Sequence, residues 1–231
     1  LMERLGRCST REGEFFHRLA ECMRVSFRQR CDSVGDPEFG APKSEDSLDS
    51  SWFQHWTAQL CRGERLNLAG PALAYSDGGT ASHVVASQEG GLVVITESVN
   101  HWFGSMLVPP ATGLVLNNIM DDFSTAPHRP DQFGLVPTAL NQVAPGKRPV
   151  SSSTPAIWME HGKPRLALGS AGGPRITTSV AQILLHCRWS EQNIQQAVQE
   201  ARIHHQWHPD YLEVEPQFSP WLRQQLSQRG H

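Results

Sequence analysis

The most constraining feature of this chain is a strand–turn–strand pattern that begins at Thr80. Residues that favour strands run over Ala81–Ser87 and over Leu92–Val99, and the turn sequence Gln88-Glu89-Gly90-Gly91 separates them. The pattern predicts an antiparallel hairpin. Because the turn has four residues, the second strand returns so that Ser98 or its neighbour Val99 lies opposite Thr80.

Thr80 also stands directly after two glycines, in the sequence Asp77-Gly78-Gly79-Thr80. A hydroxyl residue at the mouth of a strand becomes an N-terminal nucleophile if the chain is cut before it, because its freed α-amine then acts as general base for its own hydroxyl. Gly79 has no Cβ, so the peptide bond before Thr80 can adopt a strained geometry. The alternative interpretation is structural, since two glycines before a strand are also typical of a simple turn.

The other patterns predict an α+β architecture. Before the hairpin we expect two helices, Thr10–Arg30, capped by Ser9 or Thr10, and Ser51–Cys61. After it we expect a strand over Gly113–Asn118, a second hairpin formed by Pro155–Glu160 and Arg165–Gly169, and then three helices. Strands that come first and helices that come later, without regular alternation, indicate the α+β class.

The three C-terminal helices are predicted from caps and apolar spacing. They are a helix over about Thr177–Cys187, a helix capped by Ser190 that buries Ile194, Ala197, Val198 and Ala201, and a helix with Ser219 as cap, Pro220 at its first position and Gly230 past its end. Segments rich in Pro, Gly and polar residues predict irregular connections over Gly35–Ser51, Arg62–Gly79 and Thr125–Arg148.

Composition excludes several classes of function. The chain has 231 residues, a formal net charge of −3 and a pI near 6.4, which gives no electrostatic case for binding nucleic acid or anionic membranes. No run approaches the roughly 18 apolar residues of a membrane span. The five cysteines contain no Cys-x-x-Cys pair and indicate neither a disulfide framework nor a zinc site.

The N-terminal region carries many charges. Residues 1–30 hold seven Arg and four Glu, interleaved at helical spacing, and we interpret them as a solvated helix face. The chain begins at Leu1 without a charged-then-apolar signal segment, which we interpret as a mature product or a fragment.

Four polar features near the hairpins share a chemical theme. Ser98 can hold the Thr80 hydroxyl in an attacking rotamer, or it is an ordinary strand residue. Asp121-Asp122 suits a cationic amine, or it caps a turn. Ser151-Ser152-Ser153 can donate to a carboxylate, as can many polar loops. Gly172-Gly173 before a helix offers backbone N–H groups to an oxyanion, or forms a tight turn.

Taken together, these stretches resemble the gamma-glutamyltransferase (gamma-glutamyltranspeptidase) family. The resemblance spans roughly Asp77–Gly230 and extends loosely to Gly35-Asp36-Pro37-Glu38-Phe39. It is carried by Gly79-Thr80, Thr96 to Asn100, Leu116-Asn117-Asn118-Ile119-Met120-Asp121-Asp122-Phe123-Ser124, Pro145-Gly146-Lys147-Arg148-Pro149-Val150-Ser151-Ser152, Gly169-Ser170-Ala171-Gly172-Gly173 and Ala201-Arg202-Ile203-His204-His205-Gln206-Trp207. The Asn-Asn-x-Met-Asp-Asp-Phe and Arg-Pro-x-Ser-Ser pieces are its most specific parts.

The resemblance implies an N-terminal nucleophile hydrolase with an αββα sandwich, incomplete in this chain. Members cut themselves into a large and a small subunit just before the Thr that matches Thr80. Residues 1–79 then correspond to the end of the large subunit and residues 80–231 to the catalytic region of the small subunit. The rest of the large subunit is an implied partner. No cofactor, metal or nucleic acid is implied, and a periplasmic or extracellular-facing location is expected.

The resemblance also implies a substrate and a role for each candidate residue. Thr80 attacks the γ-carbonyl of a γ-glutamyl compound such as glutathione, and the acyl group passes to water or to an amino acid or peptide acceptor. Ser98 matches a Thr that hydrogen-bonds the nucleophile, and Gly172 and Gly173 match the oxyanion hole. Asn100 and Asp122 match residues that hold the glutamyl α-amino group. Ser151 and Ser152 match residues that bind the α-carboxylate.

Departures from the family pattern leave alternatives open. The family usually has a His two residues after the nucleophile, and aligning His83 with it would place Ala81 at the nucleophile; the ungapped run from Thr80 to Asn100 favours Thr80. Ile119 stands where members usually carry Glu or Gln, so a polar contact worth about 1.5–3 kcal/mol of donor binding is lost. An Arg that members use on the α-carboxylate lies outside this chain.

These departures define two competing functions. Ile119 favours a related acylase that acts on poly-γ-glutamate or a glutaryl amide. Ile119 and the Ser82-His83 sequence together also fit an unprocessed, inactive homologue that binds a partner. His204 and His208 would share a face if their segment were helical, as metal ligands can; because the segment matches a metal-free family stretch, we expect no metal there.

Overall fold

The structure of the chain is a computed structural model that describes residues 1–43, 49–68, 79–124, 126, 130–136, 139–190 and 192–231. Asp77 and Gly78 lie outside the described residues, as do parts of the predicted irregular connections. The helices of the described part are α1 Met2–Leu5, α2 Gly13–Ser33, α3 Ser50–Leu60, α4 Arg175–Trp189, α5 Ile194–Gln199 and α6 Pro220–Gln228. Its strands are β1 Thr80–Ala86, β2 Leu92–Ser98, β3 Ala156–Glu160, β4 Lys163–Leu168, β5 Ile203–His204 and β6 Glu213–Val214.

Helix α2 forms the centre of the main core. The four residues whose spacing predicts it are all buried: Phe16, Leu19, Met23 and Phe27. The helix packs against α6 and β5, so residues before and after Thr80 share one core. The buried members of this core are Met2, Phe15, Phe16, Leu19, Ala20, Cys22, Met23, Leu60, Ile203, Phe218, Leu222 and Leu226.

The predicted cap of this helix is wrong. Helix α2 begins at Gly13, and its N-cap residue, Glu12, makes no side-chain capping bond. Thr10 is instead buried, and its hydroxyl pairs with the hydroxyl of Ser190. The Thr10 side chain therefore makes a tertiary hydrogen bond instead of the predicted capping bond at the start of α2.

The charged residues of α2 also depart from the predicted solvated face. Arg24 and Glu21 are both 1% exposed. The Arg24 guanidinium lies 2.7 Å from a Glu21 carboxylate oxygen, and the second Glu21 oxygen accepts the N–H of Leu66 at 3.0 Å. The ion pair thus lies inside the protein and ties α2 to the segment that leads towards Thr80.

The first hairpin confirms its predicted register. Strands β1 and β2 pair antiparallel, with Thr80 opposite Ser98 and Ala86 opposite Leu92. One face of the hairpin carries Val85, Val93 and Ile95, each more than half exposed.

The second hairpin, β3–β4, lies beside the first. Its turn places both His161 and Gly162 at positive φ, and its register shifts at a bulge between Trp158 and Met159. Gly169, just after β4, leaves no room for a Cβ against the side chain of Ser82. This close approach brings the end of β4, and the Gly172-Gly173 turn that follows, near the start of β1.

The predicted strand over Gly113–Asn118 is wrong. Leu116 donates its N–H to Leu107 O at 2.9 Å, and Ser105 donates its N–H back to Leu116 O at 2.8 Å. These isolated bonds do not make a ladder, and Leu114, Val115 and Leu116 are exposed. The apolar run is therefore an irregular segment that leads into a short 3-10 helix, Ile119–Asp122.

The C-terminal helices mix confirmed and incorrect details. α6 has Ser219 as cap, which accepts the Leu222 N–H, and Pro220 at its first position, as predicted. α5 is capped by Asn193 instead of Ser190, because Asn193 and Gln196 form a reciprocal capping box. Only Ala197 of its predicted apolar face is buried: Ala201 is half-buried, and Ile194 and Val198 are exposed.

All five cysteines are free thiols. No helix among the described residues is long and apolar enough to cross a membrane.

Candidate active site

Thr80 and Ser98 form a hydroxyl pair at the open end of the first hairpin. Thr80 Oγ1 and Ser98 Oγ are 3.0 Å apart. The Ser98 hydroxyl donates to the carbonyl oxygen of Gly79 at 3.1 Å, and its oxygen accepts the N–H of Asn100 at 2.9 Å. Because Ser98 has one proton and gives it to Gly79, the proton between the two hydroxyls is that of Thr80.

The carbonyl of Gly79 receives a second hydrogen bond. The backbone N–H of Val99 donates to the Gly79 oxygen at 3.3 Å. The peptide bond before Thr80 therefore has its carbonyl oxygen between two donors, while the Thr80 hydroxyl stands one residue away. This is the arrangement that stabilises an oxyanion formed on that carbonyl.

Thr80 separates two cavities. The inner cleft has a volume of about 210 Å³, and seven of the predicted site residues line it: Thr80, Ser98, Asn100, Asp122, Ser151, Ser152 and Gly173. The outer groove has a volume of about 670 Å³ and is lined in part by Gly79, Thr80, Trp102 and Gly172. Every residue predicted for the site thus lines one or both cavities.

Asn100 and Asp122 form one wall of the inner cleft. Asn100 is buried and has φ 77, a left-handed conformation that Asn tolerates better than most residues. Its Nδ2 donates to Asp122 Oδ1 at 2.9 Å and to Asn118 O at 3.3 Å. The same Asp122 oxygen accepts a bond from Gln132 Nε2 at 3.1 Å. Two amides therefore fix the carboxylate in the cleft.

The charge of Asp122 is affected by its surroundings. Burial raises the pKa of the Asp122 carboxyl above its ordinary value, and the hydrogen bonds from Asn100 and Gln132 oppose this rise. A carboxylate that is partly desolvated and still ionised attracts an ammonium group more strongly than one in water does.

The serine loop forms another wall. Ser152 Oγ accepts a hydrogen bond from Arg30 Nη2 at 3.1 Å, so a guanidinium of helix α2 reaches the cleft. Ser151 is exposed at the rim, and its Oγ accepts the N–H of Ser153 at 3.1 Å. The cleft thus has a carboxylate on one wall and a guanidinium with hydroxyls on another.

Gly172 and Gly173 form the turn that precedes helix α4. Their φ values are 114 and 54, conformations that favour glycine. A Cβ on Gly173 would lie 3.2 Å from the ring of Phe133. Their carbonyl groups accept the first backbone bonds of α4, whereas among the described residues their N–H groups make no backbone hydrogen bond. The free N–H groups lie at the positive end of a helix, one at each cavity.

Asp131 is a second carboxyl of the inner cleft. Its Oδ1 accepts the N–H groups of Phe133 and Leu135 at 2.8 and 2.9 Å. Burial, the largest influence, raises the pKa of the Asp131 carboxyl to about 6, although both hydrogen bonds and Arg30 favour the charged form.

Two departures from the family pattern, at His83 and Ile119, lie in different parts of the structure. His83 is exposed and contacts Glu97 at 3.1 Å, away from the inner cleft. Ala81 lies opposite Glu97, whereas Thr80 lies opposite Ser98, so the geometry supports the ungapped alignment. Ile119 lines the cleft.

The histidine segment is not helical, and the shared face that would have suited a metal does not exist. His204 belongs to β5 and bonds to Thr178 Oγ1 at 2.9 Å and to Gln206 Oε1 at 3.0 Å. Burial lowers the pKa of His204 to about 4. In the part of the chain that the structure describes, no group of His, Cys, Asp and Glu is arranged to hold a metal ion.

Sequence reasoning missed Arg30, Gln132 and Asp131. A signal existed for Arg30: it continues the apolar stripe of α2, three residues after Phe27, and so lies on the buried side of the helix. Gln132 and Asp131 lie in a long loop, where no periodicity indicates the direction of a side chain.

Comparison with known proteins decides the family. The sequence profile of the gamma-glutamyltranspeptidase family matches residues 2–231. This chain belongs to that family. The α+β class predicted from the sequence is confirmed, and the incomplete αββα sandwich of the N-terminal nucleophile hydrolases is supported by a solved member.

That member is a mutant of Helicobacter pylori gamma-glutamyltranspeptidase, 36% identical, with a TM-score of 0.63 over 65% of this chain and 81% of that chain. Scoloptoxin SSD14 of Scolopendra dehaani is 44% identical over 163 residues, which are 70% of this chain and 28% of that protein. The glutathione hydrolase proenzyme of Escherichia coli (strain K12) is 34% identical over 220 residues, 92% of this chain and 37% of that protein. The chain therefore spans about a third of the length of these two curated relatives.

Proposed function

We propose that this chain carries the nucleophile and the donor site of a γ-glutamyl transferase/hydrolase. It is cleaved before Thr80, and Thr80 then cleaves γ-glutamyl amides such as glutathione through a γ-glutamyl-enzyme intermediate. The observation that carries the proposal is the Thr80–Ser98 hydroxyl pair, 3.0 Å apart, at the mouth of a cleft that holds Asp122.

Self-cleavage is the first step. Thr80 Oγ attacks the carbonyl carbon of Gly79, its proton is relayed through Ser98 towards the Thr80 backbone nitrogen, and the carbonyl oxygen becomes an anion between the Ser98 hydroxyl and the Val99 N–H. Collapse of this intermediate breaks the Gly79–Thr80 C–N bond as the Thr80 nitrogen takes the relayed proton, and it leaves an ester on Thr80. Water hydrolyses the ester, which frees the Gly79 carboxylate and the Thr80 α-amine.

Turnover reuses the same hydroxyl. The freed α-amine takes the Thr80 hydroxyl proton as Oγ attacks the γ-carbonyl of the donor, and the N–H groups of Gly172 and Gly173 stabilise the oxyanion. The leaving amine takes the proton and departs. Water, or the amine of an amino acid or peptide, then attacks the acyl-enzyme and releases glutamate or a new γ-glutamyl amide.

The inner cleft supplies recognition of the donor. Asp122, held by Asn100, binds the α-ammonium group, while Ser151 and Ser152 bind the α-carboxylate. These groups stand on separate walls of the cleft, as a zwitterionic head group requires. The outer groove beside Gly172 and Trp102 is open for the leaving group and the acceptor.

We also propose that the remainder of the large subunit packs against this chain. The exposed Val85, Val93 and Ile95 face of the first hairpin supports this, because so much contiguous apolar surface is unusual on an isolated protein. The limited coverage of the curated relatives supports it as well.

The experiment that tests the function uses the full-length protein. Thr80→Ala should abolish both cleavage and γ-glutamyl anilide hydrolysis, and Thr80→Ser, which keeps a hydroxyl, should retain both at a reduced rate. Intact mass spectrometry reads cleavage directly. An uncut wild-type chain that turns over the substrate, or a Thr80→Ala chain that still splits between Gly79 and Thr80, would overturn the proposal.

One observation favours a second candidate. Ile119 lines the inner cleft, where an apolar side chain weakens recognition of an ammonium group and favours a donor without one. An acylase for glutaryl amides or poly-γ-glutamate would have this character. Parallel rates on γ-glutamyl and glutaryl anilides separate the two: a higher kcat/KM on the glutaryl compound supports the acylase.

A further inference from the structure

Arg30 is a cation in the inner cleft that the function described above does not use. It lies in the last turn of α2, is partly buried, and lines the cleft together with Thr80 and Asp122. Its Nη2 donates to Ser152 Oγ at 3.1 Å. The guanidinium has five N–H donors, and this bond occupies one of them.

The charge of Arg30 is not neutralised by a direct partner. The other inward arginine of α2, Arg24, pairs with Glu21 at 2.7 Å, and Arg148 pairs with Asp36 at 2.8 Å. Arg30 forms no ion pair with any described residue; Asp131 and Asp122 influence it only through space. Burial lowers the pKa of Arg30, yet a guanidinium stays protonated in a protein.

Neither nearby carboxylate makes a hydrogen bond to Arg30. Asp122 Oδ1 accepts bonds from Asn100 and Gln132, and Asp131 Oδ1 accepts two backbone N–H groups, whereas both residues influence Arg30 only through space. Arg30 therefore keeps free donors that border an open cavity. A guanidinium of this kind matches the planar geometry of a carboxylate and can bind it through two parallel bonds.

Ser152 reinforces this arrangement. Because its oxygen accepts the Arg30 bond, its hydroxyl proton must point elsewhere, and this hydroxyl donates to no acceptor among the described residues. The Arg30 guanidinium and the Ser152 proton thus provide adjacent donors. Asp122 lines the same cleft with the opposite charge, so a zwitterion can satisfy both sides.

We propose that Arg30 binds the α-carboxylate of the γ-glutamyl donor, together with Ser152. This inference rests on the proposed function and extends it. The family resemblance assigns a different Arg to this carboxylate, so Arg30 is an additional cation, supplied by the helix that precedes the proposed cleavage site. The donor's carboxylate would then contact Arg30, which precedes the proposed cleavage site, and Ser152, which follows it.

The test uses full-length protein with three p-nitroanilides: γ-glutamyl, glutaryl (no α-amine) and 4-aminobutyryl (no α-carboxylate). Arg30→Gln should lower kcat/KM about 10- to 100-fold for the γ-glutamyl and glutaryl compounds, mostly through KM, and leave the 4-aminobutyryl compound within about 2-fold. Arg30→Lys, which keeps the charge but not the planar fork, should fall between wild type and Arg30→Gln.

Arg28→Gln is the matched control, since Arg28 lies on the same helix, has a side chain that is 43% exposed and does not line the cleft. It should leave all three rates unchanged. Intact mass and thermal melting check that each variant is cleaved and folded; if Arg30→Gln fails this check, Arg30→Lys decides by the same selective rise in KM.

The outcomes separate the two proposals. An equal loss on all three anilides would overturn the carboxylate role and leave a structural one. Unchanged KM for the γ-glutamyl compound would overturn it as well. A wild-type protein that turns over no γ-glutamyl anilide would contradict the proposed function itself, and the inference for Arg30 would fall with it.

Discussion

The hydroxyl oxygens of Thr80 and Ser98 lie 3.0 Å apart across the last paired residues of the first hairpin. Ser98 occupies the centre of a small network, because its oxygen also accepts the Asn100 N–H and its proton is donated to Gly79 O. The network connects the proposed nucleophile, the peptide bond before it and Asn100, which holds Asp122. In the proposed mechanism, the Ser98 hydroxyl therefore serves both cleavage and turnover.

We therefore expect Ser98→Ala to slow both reactions. Loss of a donor on the Gly79 carbonyl and of the acceptor for Thr80 should reduce the rate of self-cleavage and kcat by roughly 10- to 100-fold. Ser98→Thr keeps the hydroxyl and should retain most of both. Time courses of intact mass give the cleavage rate, and steady-state kinetics on the cleaved fraction give kcat. Full-speed cleavage in Ser98→Ala would mean that Val99 N–H alone stabilises the oxyanion.

Asp122→Asn isolates the charge of the proposed ammonium site. Both bonds that hold the residue, from Asn100 and Gln132, end on Oδ1, so an Asn oxygen can accept them too. We expect kcat/KM for a γ-glutamyl anilide to fall about 10- to 100-fold, and that for the glutaryl anilide to change little. Arg30→Gln, by contrast, should lower kcat/KM for the glutaryl anilide as well.

The same carboxylate should give the wild-type enzyme an acid limb. Because burial raises the pKa of Asp122, the ammonium site loses its charge at a higher pH than an ordinary Asp would. As pH falls through that raised pKa, kcat/KM for the γ-glutamyl anilide should fall, and the glutaryl anilide should not show this limb. A limb shared by both substrates would point to another group, such as the Thr80 amine.

The sequence predicts the first hairpin and the start of α6 because short-range interactions determine both. The four-residue turn Gln88-Glu89-Gly90-Gly91 is enough to place Ser98 or Val99 opposite Thr80, and the structure has Ser98 there. The Ser219-Pro220 pair is enough to start α6. In both cases the deciding interactions lie within a few residues along the chain, so no knowledge of distant partners is needed.

Most of the failures involve distant partners. Thr10 does not cap α2, because its hydroxyl pairs with Ser190. The cap of α5 is a local exception, since the Asn193–Gln196 capping box starts this helix after Ser190. The apolar run Gly113–Asn118 has the composition of a strand but no neighbouring ladder. The charge pattern places Arg30 on a solvated face, because charge alone does not reveal that the end of a helix faces a cleft. Site residues taken from the family resemblance do line the two cavities, yet their roles remain predictions.

Asp131→Asn tests how the buried charge of Asp131 in the inner cleft affects the free energy of unfolding. The folded pKa of about 6 lies above the ordinary Asp value, so the folded state binds more protons than the unfolded state between these limits. Stability from this group is therefore full at low pH and is lost as pH rises through about 6. Asn keeps the single oxygen that accepts the Phe133 and Leu135 bonds.

We expect Asp131→Asn to be more stable than wild type at pH 7.5 by on the order of 2 kcal/mol, with the difference shrinking towards pH 4. Urea unfolding of the full-length protein at several pH values measures this. A variant less stable than wild type at pH 7.5 would show that attraction to Arg30 outweighs the burial of the Asp131 charge.

The buried Glu21–Arg24 pair predicts the largest loss of stability. Glu21→Ala would leave the Arg24 guanidinium, 1% exposed, without its 2.7 Å partner, and would free the Leu66 N–H that the second oxygen binds. Removal of one member of a buried pair typically costs about 3–5 kcal/mol, so we expect a loss of this size in the free energy of unfolding of Glu21→Ala. Glu14→Ala on the same helix is the matched control, since its pairs with Arg18 and Arg229 are both partly exposed and should each contribute at most about 1 kcal/mol. Urea unfolding of both variants decides it: a loss for Glu21→Ala as small as that for Glu14→Ala would mean that Asp210, 3.3 Å from Arg24, suffices to neutralise the buried charge.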